Sequence, residues 1–217
     1  MTTALLYKEF RETLPIGAMA LAGFLLMMTS FGSSALPSYF SGPGSGTIPF
    51  INDPALAQFT TVAGLLAMGL GFSQSLRDFW GDAQLFLLHR PVSRRRIFGV
   101  KLGVGLAMYL ACGLLPLVVY AAWAATPGTH ASPFEWSMTT DTWKTWMNLT
   151  TLYLASFLAG IRPAAWFGTR LLPLAAAGLG TFLSEWTTGW AWPIYVAAAD
   201  ALLAAAIFHT IETRDFV

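Results

Sequence analysis

Charge is what this chain has least of. Of its 217 residues only 11% are Asp, Glu, Lys or Arg, against 55% apolar residues and a mean hydropathy of +0.58. A soluble domain carries roughly 25% charged residues, and a well-dispersed surface roughly 25–35%. Burying a large core does not remove the deficit, because a chain of this size still exposes much of its surface. A freely soluble globule is therefore excluded, and lipid becomes the solvent for most of the chain. Cysteine is scarcer still. Cys112 stands alone inside an apolar run, which excludes an intramolecular disulfide and a cysteine-based metal cluster and leaves a small packing residue. The net charge is +1, so no overall field points to nucleic acid.

Chemical motifs are missing as well. No Gly-x-x-x-x-Gly-Lys-Ser/Thr loop occurs, so the chain has no usual cradle for nucleotide phosphates. Neither Gly-x-Ser-x-Gly nor His-Glu-x-x-His is present. His89, His130 and His209 are widely separated and fall on different sides of a membrane in the topology below, so they cannot share a metal. The expectation is a protein that does no covalent chemistry and holds no cofactor.

What is present is a series of long apolar runs fenced by charge. A helix needs about 20 apolar residues to cross the hydrocarbon. Uncharged runs place spans over 14–36, 56–76, 102–125 and, broken only by Asp200, 188–211. Two shorter candidates, 145–161 and 168–184, flank the turn "RPAAWFGTR", where Pro163 and Gly168 favour a break. The fold expected is a single all-α membrane domain over residues 1–217 with six transmembrane helices. The connections "PSYFSGPGSGTIPFINDP" and "TPGTHASPFEWSMTTD" read as loops. The mixed charge of "KEFRE" favours an uncleaved first helix over a signal peptide.

Orientation follows from lysine and arginine. With the N-terminus inside, the inner segments hold Lys8, Arg11, Arg77, Arg90, Arg94, Arg95, Arg96, Lys101, Arg162, Arg170 and Arg214, while the outer ones hold only Lys144. Both termini are expected in the cytoplasm. Trp123, Trp136, Trp143, Trp146, Trp186, Trp190 and Trp192 fall near the outer boundary, where an indole is favoured. Asn148-Leu-Thr150 matches a glycosylation sequon but sits at a span edge and reads as coincidence. Gly99-x-x-x-Gly103 and Ser156-x-x-x-Gly160 read as close-packing sites between helices.

The stretch "FLLHRPVSRRRIFGVKL", residues 86–102, gathers His89, Arg90, Arg94, Arg95, Arg96 and Lys101 between two apolar runs. Upstream, "RDFWGDAQLFLLHR" reads as an amphipathic helix with Asp78, Asp82, Leu85 and His89 on one side and Phe79, Ala83, Phe86 and Leu87 on the other. Pro91 ends it, and Ser93 is placed to cap the next helix. Arginines here fix topology and meet anionic lipid at about 1 kcal/mol each. That role alone does not account for an amphipathic helix closed by a proline turn.

These residues carry a resemblance. Pro91, Val92, Ser93, Arg94 and Lys101 are similar to the first cytoplasmic loop of exporter-type (type-two) ABC transporter permeases. "LLYKEFRE" resembles that family's amphipathic N-terminal helix, with Leu6, Phe10 and Leu14 on one face and Lys8, Arg11 and Glu12 on the other, and "FHTIETRDF" resembles its cytoplasmic exit from span six. The family has a glutamate and Gly-Thr before the loop helix; here Asp78 stands in the glutamate's place and Gly-Thr is absent. "SEWTTGW" is also short for the re-entrant helices of some members, so the cargo class does not carry over. The resemblance implies a permease subunit in the bacterial inner membrane, paired with a second permease subunit as a homo- or heterodimer. It also implies a separate cytoplasmic ATP-binding-cassette ATPase docked on the 77–101 loop, with Asp78, Asp82, Leu88, Arg90, Pro91, Ser93 and Arg94 as coupling residues. The rival reading is a non-transporting membrane subunit that anchors or assembles a larger complex.

Asp200 is the one acid deep in a span, within "YVAAADALLAAAIF". An ionised carboxylate there costs about 2.5–3.5 kcal/mol on insertion scales. Two roles stay open: a polar group in a transport path or subunit interface, or a protonated acid hydrogen-bonded to a neighbouring helix at Thr150, Thr151 or Tyr153.

Overall fold

The computed structural model describes residues 2–28, 48–51, 55–77, 93–128, 133–166, 168–184, 187, 189 and 191–213. All regular structure among them is helical. The helices are α1 (Thr2–Met28), α2 (Ala55–Leu76), α3 (Arg94–Ala125), α4 (Thr140–Ile161), α5 (Leu172–Ser184) and α6 (Ala191–Thr213). Short 3-10 turns, Trp136–Thr139 and Thr169–Leu171, lead into α4 and α5. Three helices are long and apolar enough to cross a membrane: Ala57–Leu76, Arg94–Ala125 and Ala191–Thr213. This is the helix set of a membrane protein.

Element bounds shift from those read off the apolar runs. The amphipathic N-terminal stretch and the first apolar run form one helix, which continues through Pro15. α4 begins at Thr140 rather than 145, drawing Asp141 and Lys144 into the helix. α5 has only 13 residues; at 1.5 Å per residue it is about 20 Å long, short of a hydrocarbon core of about 30 Å. α3, with 32 residues, is about 48 Å long, so its first turns and their arginines extend well past its apolar part.

Helix direction alternates through the chain. α2 and α4 run side by side in the same direction, because Gly64 meets Leu149, Gly71 meets Ser156, and Gly160 meets Ser75. α1 and α3 are likewise parallel, with Gly17 against Met108 and Cys112 and Glu9 against Lys101. α5 opposes α4, since Ser184 bonds Asn148 while Arg170 bonds Gly160. α4 is the hub. Fifteen of its 22 residues are buried, whereas α6 buries only Val196, Ile207 and Ile211 among its 23.

Small residues set the closest helix contact. A Cβ at Gly71 would sit 2.6 Å from the Tyr153 carbonyl oxygen and 2.8 Å from the Phe157 nitrogen, and one at Gly160 would lie 2.6 Å from Ser75 Cβ. Ser156-x-x-x-Gly160 is thus the close-packing site expected of it, and backbones approach as small residues allow. Gly99-x-x-x-Gly103 meets no helix among the described residues: no described atom lies within 4 Å of a Cβ placed at either glycine. Cys112 is buried with its Sγ 3.8 Å from the Gly17 carbonyl oxygen, as a packing residue should be.

The two ends of the bundle differ. At one, Arg77 Nη1 donates to the Glu12 carbonyl (3.3 Å) and Arg95 pairs with Glu212, so the start of α1, end of α2, start of α3 and end of α6 lie together. Arg170 joins them by donating to the carbonyls of Ala159 and Gly160 at 3.0 and 2.6 Å, its guanidinium 3.9 Å above the Trp166 ring. At the other end Phe50, Tyr120, Ala121 and Ala124 form a small core flanked by Trp123, Phe134 and Met138. Phe50 holds a left-handed φ of 67° there, fixed by ring contacts with Tyr120 and Phe134.

Candidate functional site at the basic end

The first four helices converge on a buried polar knot. Along α1, Glu9, Thr13 and Gly17 recur every four residues and face inward, and Glu9 and Thr13 are fully buried. The apolar row Leu6, Phe10 and Leu14 on the same helix is about half exposed and points away from the bundle. The amphipathic pattern of α1 is therefore inside out relative to a soluble protein.

Glu9 meets Lys101 of α3: Nζ lies 3.2 Å from Oε1, and both side chains are about 1% exposed. Lys8 approaches the same oxygen at 3.5 Å from the helix exterior. The α2 residue Gln74 stitches this pair to the rest. Its Nε2 donates to the Lys101 carbonyl at 2.9 Å, and its own carbonyl accepts from Lys101 Nζ at 3.5 Å. Tyr153 of α4 donates to Gln74 Oε1 at 2.8 Å, with the Leu102 carbonyl 3.2 Å away. Gly105 makes this possible, since a Cβ there would fall 2.8 Å from Gln74 Cδ and displace it from the α3 backbone.

A buried ion pair stands only when further hydrogen bonds hold both partners, because each charge loses several kcal/mol of hydration. Here Lys101 Nζ faces two oxygens, Glu9 Oε1 and the Gln74 carbonyl, while Glu9 Oε2 keeps no partner among the described residues. The knot residues line neither of the two described grooves, at Phe50–Asp141 and at Ser93–Phe208. What the knot does is tie α1, α2, α3 and α4 together at one depth.

Its position relative to the loop between α2 and α3 is the functional point. Gln74 lies three residues before Arg77, and Lys101 eight residues after Ser93. Both roots of residues 78–92 are thereby fastened to the same buried knot. The coupling candidates Asp78, Asp82, Leu88, Arg90 and Pro91 lie outside the described residues. Ser93 occupies the N-cap position of α3, and its carbonyl accepts from Arg96 N (3.0 Å) and Ile97 N (3.2 Å), but its hydroxyl makes no capping bond. The capping expected of that hydroxyl is corrected accordingly. Arg94 is exposed on the first turn, and Ser93, Arg95, Arg96 and Phe208 line an open groove of about 580 Å³. Arg95 and Glu212 meet beyond the apolar stretches 102–125 and 188–211; the hydrogen bond from Arg95 holds the Glu212 carboxyl below the usual carboxylate range.

Other sequence candidates separate from this site. Asp200 lies on α6 with Oδ2 2.6 Å from Thr150 Oγ1; of the three partners considered, Thr150 is the one met, and Tyr153 turns to Gln74 instead. Asn148 is 2% exposed, its Nδ2 donating to Ser184 and its Oδ1 accepting from Trp192, so the folded chain offers no glycosylation acceptor. Among the described residues no group of three His, Cys, Asp or Glu is placed to hold a metal. Glu9, Gln74 and Gly105 escaped the sequence reading. The signal available was the row Glu9-x-x-x-Thr13-x-x-x-Gly17, small or polar at every fourth position and continuing into the apolar half of the helix.

In comparison with known proteins, no family model, no curated protein and no solved structure matches this chain.

Proposed function

We propose that the chain is the membrane-spanning permease subunit of an ATP-driven exporter, crossing the membrane six times with both termini in the cytoplasm. A separate ATP-binding-cassette ATPase docks on the 77–101 segment, and a second permease subunit completes the assembly in the bacterial inner membrane. The observation that carries this reading is the buried Glu9–Lys101–Gln74–Tyr153 knot, which fastens both roots of that segment to four helices. A loop whose two roots are clamped to one rigid point transmits displacement into the bundle. A basic segment that only met lipid headgroups would need no such clamp. The alternating helix directions and the gathering of Arg77, Arg95, Arg96, Lys101 and Arg170 toward one end agree with the same topology.

The test reconstitutes the chain in liposomes with an ATP-binding-cassette ATPase taken from the adjacent reading frames, their content being itself the first discriminator. A several-fold rise in ATP hydrolysis over the ATPase alone is expected, and an Arg94→Glu, Pro91→Ala variant abolishes it. No binding and no stimulation would put the anchoring-subunit reading ahead.

A further inference from the structure

Asp200 takes no part in the knot, and its surroundings pose a proton-counting problem. It is the tenth residue of α6, about 14 Å along a helix that is long and apolar enough to cross a membrane. Thr150 Oγ1 lies 2.6 Å from Asp200 Oδ2 and 2.7 Å from the Met147 carbonyl oxygen. Both distances fall inside the O–H···O range of about 2.5–3.0 Å. A threonine hydroxyl has one hydrogen to donate. If Asp200 is ionised, both neighbours are pure acceptors, and one of the two contacts becomes an unbridged approach of two oxygens. If Asp200 holds a proton, both contacts are hydrogen bonds: Asp200 donates to Thr150, and Thr150 donates to Met147.

The rest of the carboxyl agrees. Asp200 Oδ1 is buried and has no partner among the described residues. For a carboxylate that would be a charged oxygen stripped of water with nothing to replace it; for the neutral acid it is an ordinary carbonyl. Among the described residues no counter-charge is supplied either. From α3 the group within electrostatic reach is Tyr109, whose hydroxyl donates to the Trp146 carbonyl at 2.7 Å. On α3 Lys101 is held by Glu9, and on α4 Lys144 donates to the Thr187 carbonyl and Tyr153 to Gln74. α5 has no titratable residue, and His209, nine residues on, is exposed.

The geometry points to Asp200 as a proton-binding site inside the bundle: the side chain is a neutral carboxylic acid that bridges α6 to α4 through Thr150, and losing its proton re-aims the Thr150 hydroxyl from Met147 onto the carboxylate. The joint between α6 and the hub helix is then set by protonation. It is independent of the permease reading, which rests on the knot at Tyr153 and not on the Thr150 contact.

Infrared difference spectroscopy on the full chain in lipid vesicles at neutral pH tests this. The wild type is expected to show the C=O stretch of a protonated carboxyl, shifted in deuterium oxide and lost in Asp200→Asn. In Thr150→Val the band is expected to move to higher frequency, because the acid loses its acceptor. A wild-type spectrum without the band overturns the proposal, as does a band that Asp200→Asn leaves in place. Should Asp200→Asn fail to fold, an unshifted band in Thr150→Val overturns it equally.

Discussion

Two acids point into this bundle, Glu9 fully buried and Asp200 half-buried, and they are accommodated in opposite ways. Glu9 lies where four helices meet, so a lysine, a glutamine and a tyrosine from three other helices reach into its neighbourhood. Asp200 lies on α6, a helix that packs on one side only, and it finds a single hydroxyl. Moving a charge out of water costs several kcal/mol, and only a close opposite charge with supporting hydrogen bonds offsets it. A crowded junction supplies that company, whereas a flank helix does not. The same side-chain chemistry thus gives an ion pair in one region and a neutral hydrogen bond in the other.

The largest test makes the first acid resemble the second. Lys101→Met keeps the volume of the side chain but leaves Glu9 buried without its charge partner. Breaking such a pair is expected to cost about 3–5 kcal/mol, read as a large fall in the unfolding midpoint in detergent or lipid. The double variant Glu9→Gln, Lys101→Met removes both charges and is expected to recover most of that loss. A double variant as unstable as the single one would show that the knot acts through shape rather than charge.

A smaller effect tests the packing that lets the junction form. Gly160→Ala places a methyl against Ser75 where the backbones of α2 and α4 nearly touch. Overpacking of this kind costs about 1–3 kcal/mol. Gly103→Ala, on the exposed side of α3, meets nothing within 4 Å among the described residues. It is expected to leave the unfolding midpoint of the single chain unchanged. Equal losses at the two glycines would mean that the α2–α4 approach is not what limits side-chain size.

How much of this was legible in sequence depended on which way a residue faces. Runs of apolar residues locate helices well, because lipid-exposed and core-facing positions both have to be apolar, and so all six helices could be placed. That same uniformity hides orientation. Leu6, Phe10 and Leu14 look like a core face, yet they point outward while Glu9 and Thr13 point inward. Two Gly-x-x-x-Gly-like pairs looked equivalent, and among the described residues only Ser156-x-x-x-Gly160 meets a partner helix. For Asp200 the partner could be narrowed to Thr150, Thr151 or Tyr153 in advance, because a lone acid in an apolar helix has few polar groups at its depth, and the structure selects Thr150. Gln74 and Gly105 could not, since a glutamine near a helix end and a glycine in an apolar run are each unremarkable until the neighbouring helix is beside them. The 13-residue α5 shows the limit for length: charge fenced off 168–184, but the turn around Arg170 took the first residues.

The smallest effect concerns how the flank helix is tied to the basic end. Arg95 and Glu212 join α3 to α6 through a solvent-exposed pair, with Arg95 72% and Glu212 40% accessible. Exposed pairs contribute little and are screened by salt, so Arg95→Ala is expected to leave the unfolding midpoint unchanged at physiological ionic strength. The sign of its pH dependence still follows. The folded Glu212 carboxyl ionises below its unfolded value, so whatever the pair contributes is present above the usual carboxylate range and fades as pH falls through the lowered value. At low salt the wild type should therefore lose slightly more stability than Arg95→Ala over that acid window. A difference of the opposite sign would mean that Glu212 is held by something other than Arg95. The contrast with Lys101 is then complete: one cation joins helices from inside, where its removal strips a buried acid of its partner, and the other joins them from outside, where the buried Ile207 and Ile211 hold α6 to the core without it.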